Sequence, residues 1–246
     1  MNNFNLYIDD YSLLTKAIEI AKFTNGIEVI CDLKHVTYPY LHLLNNNLLI
    51  VNKNSKPYSI NDIYNNFNFK HRYLNIENDL LITTIKKSFT SGDILLDLTT
   101  GFALDSLIFA KFGINVTMLE FNPFIATIVY YALMNDIIPR NNLKLIFGNS
   151  VDFLKNITIK PDFIYLDPMY DDNKKSLSNK HMKLIQETSE VDNPSNNTIL
   201  FKLGIKLVKK KIIVKRDNKQ EFIINEPQPN LIKFGKTIRF DVYNNF

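Results

Sequence analysis

Tryptophan is missing from this sequence and cysteine occurs once, at Cys31. A single cysteine excludes an intrachain disulfide and suits a reducing compartment; the side chain itself reads as a small packing residue rather than a nucleophile. The four histidines, His35, His42, His71 and His181, are scattered and have no cysteine partners, so no metal site is expected. Glycine (7) and proline (9) are scarce. The longest apolar run, 123–134, is too short to span a bilayer, and no secretory signal opens the chain. A soluble, cytoplasmic protein without membrane contact is expected.

Asparagine, lysine, isoleucine, phenylalanine and tyrosine fill the space, a bias that looks like AT-rich coding and under which glycine motifs can erode. The 246 residues suffice for one sizeable domain with a small appendage and a proper core. A net charge of +4 is compatible with a polyanionic partner without requiring one. Residues 1–57 alternate short apolar pieces with polar breaks around one helix candidate at 12–23, which reads as a small N-terminal α+β subdomain. Residues 58–90 look helical and polar, with a basic knot at Lys70, His71 and Arg72.

From Asp93 onward the pattern sharpens. "DILLDL" is a short strand closing on Asp97, and "TTG" turns the chain into a helix whose Leu104, Leu107, Ile108 and Phe112 share a face until Gly113 stops it. "INVTMLE" is the next strand, ending on Glu120, and Asn122-Pro123 supplies an N-cap and a first-turn proline for the helix that follows. "LKLIF", "PDFIYLD" and "KKKIIVKR" are three further strands, with 219–225 and 236–243 as the expected closing antiparallel pair. Strands alternating with helices imply parallel pairing, hence a Rossmann-like doubly wound sheet over residues 58–246. Such sheets bind ligands beyond the carboxyl ends of their strands.

Asp97, Gly101, Glu120, Asn149 and Asp167 all fall at those strand ends or in the turns just after them. Gly101 alone is only a tight turn. An acid about twenty residues later, Glu120, is the spacing of a carboxylate that accepts hydrogen bonds from a ribose diol. Together they favour a nucleoside-type cofactor. Asp105 either favours the helix dipole or faces a cationic ligand, and Asn149 is either a turn former or an amide reading an adenine edge. A dinucleotide would need more glycines near its pyrophosphate and would be repelled by Asp97, Asp105 and Glu120. A cofactor carrying a sulfonium and an ammonium, S-adenosylmethionine, suits this acidic, glycine-poor mouth better.

Asp167-Pro168-Met169-Tyr170 then has a physical job. An exocyclic amine on a nucleobase is a poor nucleophile because its lone pair is delocalised into the ring. A carboxylate and an adjacent carbonyl, Asp167 and Pro168, can accept its two N–H bonds and aim the lone pair, while Tyr170 stacks on the base. Asp171 and Asp172 beside Asp167 read as solvated acids rather than a metal site. Lys174, Lys175, Lys180 and Lys183 are plausible phosphate contacts beside such a pocket, as are Lys70, Arg72 and the lysines of 206–211.

These stretches resemble the ribosomal RNA small subunit methyltransferase J family, the bacterial guanine-N2 methyltransferases of 16S rRNA. "LLDLTTGFALDSLIFAKFGINVTMLEFNP" is similar to its Asp-Ala-Thr-Ala-Gly-Leu-Gly-Arg-Asp stretch and following Leu-Glu-Arg-Asn-Pro. "YLDPMY" resembles its Tyr-Leu-Asp-Pro-Met-Phe/Tyr segment, and "VKR" and "KTIRFDVY" resemble its Val-Lys-Arg-Pro and Lys-Gly-His-Arg-Phe-Asp-Ile-Tyr endings. The resemblance covers residues 70–246. It implies a class I methyltransferase fold, S-adenosylmethionine as methyl donor and a guanine amine of 16S rRNA in the small ribosomal subunit as acceptor. It also implies cofactor contacts at Leu104, Asp105, Glu120, Phe121, Asn149, Ser150 and Asp167, and RNA contacts that include His71 and Arg216. Leu104 and Phe121 stand where the family has arginine, Asn149 where it often has serine, and Asp217 where it has proline. The rival readings are an amino-methyltransferase acting on adenine N6 or protein glutamine, and a non-catalytic assembly factor that only binds rRNA.

Overall fold

The computed structural model describes residues 4–168 and 194–244, with the side chains of residues 194 and 195 left out of that description. Its first sheet is built from β1 (Phe4–Tyr7), β2 (Ile27–Ile30), β3 (Tyr40–Leu44), β4 (Asn47–Val51) and β5 (Tyr58–Ser59), in the order β2-β1-β3-β4-β5. β1 runs parallel to β2 and β3, while β3, β4 and β5 are joined antiparallel. Helix α1 (Leu14–Lys22) lies within the expected 12–23 segment. The sheet reaches past residue 57, because β5 adds to the β4 edge.

Three short helices follow: α2 (Asn61–Tyr64), α3 (Phe67–Leu74) and α4 (Leu80–Thr83). The second sheet contains β6 (Ile94–Asp97), β7 (Asn115–Glu120), β8 (Leu143–Phe147), β9 (Phe163–Leu166), β10 (Lys211–Asp217), β11 (Leu231–Phe234) and β12 (Ile238–Asn244). Its order is β11-β12-β10-β9-β6-β7-β8, with β10 through β8 parallel and β11 and β12 antiparallel. The crossover helices are α5 (Leu104–Phe112), α6 (Pro123–Met134), α7 (Ser150–Asn156) and α8 (Pro194–Leu207). The chain starts this sheet at β6, lays β7 and β8 on one side, then returns to place β9 and β10 on the other. The β6–β9 boundary is therefore the point where strand order reverses, and the crevice over its carboxyl end is where such sheets bind ligands.

The closing strands differ from expectation. The outer strand is 231–234, not 219–225. Gly235-Lys236-Thr237 makes a tight turn directly into β12, with the Gly235 N–H donating to the Ile238 carbonyl at 2.7 Å. The 219–225 segment is instead pinned as a loop. Arg239 donates to the carbonyls of Asp217 (2.7 Å) and Gln220 (2.8 Å), Arg216 donates to that of Glu221, and Ile223 is buried in the core.

Helix α6 explains its own composition. It is apolar on nearly every face because it is covered twice, by its own sheet and by the N-terminal layer. Phe4 meets Phe124 edge-on at 5.2 Å, and Phe23 stacks on Tyr130 at 4.2 Å with 6° between planes. Lys16 donates to Asn135 Oδ1 at 2.9 Å. The two sheets thus share one apolar core running from Leu6 and Leu41 through Phe124 and Ile128 to Leu95 and Phe163.

Candidate active site

Each parallel strand delivers one polar group to the same end. Asp97 closes β6 and is 1% exposed; it accepts from the Thr99 N–H (3.1 Å) and from Ser106 Oγ (2.6 Å). Burial pushes its carboxyl up to about 7, against the pull of those two hydrogen bonds. The turn that follows places Gly101 (φ 53) and Ala103 (φ 63) in left-handed backbone. Ala103 occupies a position where the family stretch has its second glycine, so here a Cβ is held in a conformation that favours glycine.

Glu120 closes β7. Its Oε2 accepts the Gly101 N–H and its Oε1 the Asn122 N–H, both at 2.8 Å. The acid and the turn that faces it are therefore one rigid unit. Asn122 in turn caps α6 through Oδ1, accepting from Phe124 (2.9 Å) and Ile125 (3.3 Å). Phe121, next to Glu120, is 46% exposed. After β8, Asn149 caps α7 by accepting from the N–H groups of Val151 (2.8 Å) and Asp152 (3.2 Å), so the oxygen of its amide is committed to the helix. Ser150 Oγ donates to the Leu98 carbonyl at 2.7 Å, tying α7 to the β6 turn. Leu104 opens α5, half-buried at the edge of the core.

Asp167 follows β9, and its N–H donates to Thr99 Oγ1 at 2.6 Å, which fastens the β9 exit to the β6 exit. Pro168 is buried. The register Val214↔Leu166 sets the next β10 residue, Lys215, beside Asp167. Lys215 Nζ lies 2.8 Å from Asp167 Oδ2 and 2.8 Å from Asp105 Oδ2. Asp105 also accepts from Tyr165 OH (2.6 Å) and from Arg72 (2.8 Å), and Arg72 continues to Asp79 at 2.8 Å. Burial would raise the Asp105 carboxyl, but Lys215 and Arg72 outweigh it and hold the group well below the usual carboxylate range. Asp167 moves the other way: burial and the neighbouring Asp105 raise it, opposed by Lys215, with solvent reaching a side chain that is 39% exposed.

Several expected roles change. Asp105, read as either a helix-dipole acid or an acid facing a cationic ligand, is the pivot of an ion-pair network with Lys215 and Arg72. Arg72 is drawn from the basic knot into that network, while Lys70 and His71 stay exposed on α3. Arg216 is 5% exposed, turned to the face opposite Lys215, and is not placed as a phosphate contact. The lysines of 209–211 lie at the other end of the sheet: Lys210 pairs with Asp93 (2.7 Å), Lys209 with Asp162 (3.6 Å), and Lys211 donates to the Thr84 carbonyl (2.9 Å). Tyr170, Asp171, Asp172, Lys174, Lys175, Lys180 and Lys183 lie outside the described residues.

Lys215, Tyr165, Asp79 and Thr99 are missing from the sequence reading. Lys215 and Tyr165 left one signal: each is a polar side chain in an otherwise apolar strand, at or near its carboxyl end. Knowing that β10 neighbours β9 is what makes Lys215 meaningful.

Residues 31–245 match the family model described as "Putative SAM-dependent methyltransferase". A ribosomal RNA small subunit methyltransferase J from Buchnera aphidicola is 34% identical over 221 residues, covering 82% of this chain and 84% of that protein. The chain belongs to the ribosomal RNA small subunit methyltransferase J family. A namesake from Legionella pneumophila is also 34% identical, over 63% of this chain and 64% of its own length. The crystal structure of a SAM-dependent methyltransferase from Neisseria gonorrhoeae has the same fold, with a TM-score of 0.70 at 20% identity over 98% of this chain and 96% of that one. This methyltransferase J family member is thus a class I, S-adenosylmethionine-dependent enzyme. The residues present fit that cofactor: Glu120 is fixed by two backbone N–H groups at a ribose-type position, and buried Asp97 lies beneath the adjoining turn. Among the described residues, no helix is long and apolar enough to cross a membrane.

Proposed function

We propose that this chain methylates the exocyclic N2 amine of a guanine in 16S rRNA of the small ribosomal subunit, in the cytoplasm. The observation that carries the reading is the Asp167-Pro168 pair at the β9 exit, fastened to the β6 turn through Thr99 and flanked by Lys215. Bound S-adenosylmethionine supplies a methyl on a positively charged sulfur. Glu120 would hold its ribose, and Asp97 would lie by the methionine end. Leu104 and Ser150, which open α5 and α7, and Phe121, which follows β7, would flank the cofactor; with its oxygen capping α7, Asn149 would meet an adenine edge through its amide nitrogen.

The side chains do the rest by position. Asp167 and the Pro168 carbonyl accept the two N–H bonds of the guanine amine and turn its lone pair toward the methyl. Lys215 fixes the Asp167 carboxylate. The methylated nitrogen carries one proton in excess, and the same carboxylate is the nearest acceptor. Tyr170 would stack on the base, which must leave its helix or be unpaired to reach the pocket. Lys70, His71, Lys174, Lys175 and Lys180 would meet phosphates.

The test is methyl incorporation from labelled S-adenosylmethionine into undermethylated small subunits, with Asp167→Ala as control and the product mapped to a nucleotide. Label on a guanine N2, lost with Asp167→Ala, is the expected result. Label on adenine or on protein glutamine, or rRNA binding without transfer, overturns it.

A further inference from the structure

Helix α3 has a face the fold leaves uncovered. Phe67, Lys70, His71 and Leu74 follow the i, i+3, i+4, i+7 spacing that aligns side chains in one stripe. All four are exposed, Phe67 at 78% and Leu74 at 81%. The Phe67 ring lies beside His71, with centroids 6.3 Å apart and 33° between planes. The other side of the helix is anchored. Phe69 is buried and packs on Tyr73 at 5.6 Å, Lys111 of α5 sits over the Tyr73 ring at 5.3 Å, and Arg72 reaches Asp79 and Asp105.

Single exposed apolar residues are ordinary. Two in one stripe, interleaved with two basic groups on a helix that contains no acidic residue, are a specific combination. An aromatic ring offers a base a stacking surface, and the basic groups beside it offer phosphates a partner. The helix is tied to the site through its opposite side. Arg72, in the same turn as Lys70 and His71, ends on Asp105, so the stripe lies about one helix diameter (~10 Å) from the catalytic network.

We propose that the outer face of α3 docks a single-stranded RNA segment flanking the methylated guanine, with Phe67 stacked on a base and Lys70 and His71 at phosphates. This rests on the rRNA reading above. It adds a base-stacking residue, Phe67, that lies outside the pocket and recognises RNA context rather than the reacting base.

The experiment compares full-length wild type with Phe67→Ala, Phe67→Leu and Phe67→Tyr, using undermethylated small subunits and labelled S-adenosylmethionine. Stacking predicts that Ala and Leu both raise KM for the subunit by about tenfold, that Tyr restores it, and that kcat and S-adenosylmethionine affinity stay unchanged in all three. Lys70→Ala should flatten the salt dependence of subunit binding. An unchanged KM for Phe67→Ala overturns the proposal. So does a wild-type KM for Phe67→Leu, which would mark the stripe as an apolar contact for protein. Failure of the rRNA reading shows separately, as a wild-type enzyme that transfers no methyl to rRNA.

Discussion

Lys215 touches the carboxylates of both Asp105 and Asp167, and two acids this close stay ionised together only with a cation between them. Replacing it with methionine keeps the stem and removes the charge. Asp167 should then hold its proton to higher pH, so the acid limb of the kcat profile should move up by about one unit or more, with kcat reduced even on the plateau. An acid limb that stays in place would sink this role for Lys215. Asp97 makes a prediction of opposite character. Its carboxyl is raised to about 7 in the fold, so between its ordinary range and 7 the folded state holds a proton that the unfolded chain has released. Its contribution to stability is therefore present at low pH and lost as pH rises toward 7. Asp97→Asn, which mimics the protonated form, should gain on wild type across pH 4 to 8, by on the order of 4 kcal/mol at most. Parallel stability curves for the two proteins would contradict the shift.

At the scale of elements, the βα order from β6 to β10 is readable because each unit carries its own local signals. Asn122-Pro123 starts α6, Gly113 (φ 106) ends α5, and the apolar strands close on acids. The final hairpin is less readable. Residues 219–225 contain apolar side chains but no local signal that two arginines elsewhere will bond their carbonyls and hold them out of the sheet. Arg239 and Asp241 lie two apart on one face of β12, 4% and 0% exposed, bonded at 2.8 Å. The Arg-Phe-Asp motif that looks like a functional signature is thus a structural latch between β12 and that loop. Arg239→Ala leaves a buried carboxylate without its guanidinium and should cost about 3–5 kcal/mol in urea unfolding. The pair Arg239→Met with Asp241→Leu should recover the part of that loss due to the unpaired carboxylate but not the part due to the lost bonds to the Asp217 and Gln220 carbonyls, and a double variant as stable as wild type would rule out the latch.

At the scale of the molecule, the N-terminal layer and the methyltransferase sheet meet on α6, whose first turn continues directly from Glu120. Gly26 lies at that seam: a Cβ there would come within 2.7 Å of the Pro123 ring. Gly26→Ala should destabilise the protein by about 1–3 kcal/mol and weaken S-adenosylmethionine binding, because the ring it displaces is three residues from the ribose-type acid. Thermal unfolding and calorimetric titration check both halves, and unaltered cofactor affinity would show that the seam is not coupled to the site.

The sequence by itself determined the alternation of strands and helices, and with it a parallel sheet whose polar groups collect at one end. It also determined the features that depend on their own turn, namely the left-handed Gly101 and the Asn122 cap of α6. Only the tertiary structure decided which charges meet. Arg72, Tyr165 and Lys215 stand 33, 60 and 110 residues from the Asp105 they all bond, and Lys215 is 48 from Asp167. A turn or a cap is set by dihedral preferences and hydrogen bonds within a few residues, which a linear reading captures. An ion pair across strands depends on strand order and register, set by how the whole apolar core closes, and no short stretch of this chain contains that information.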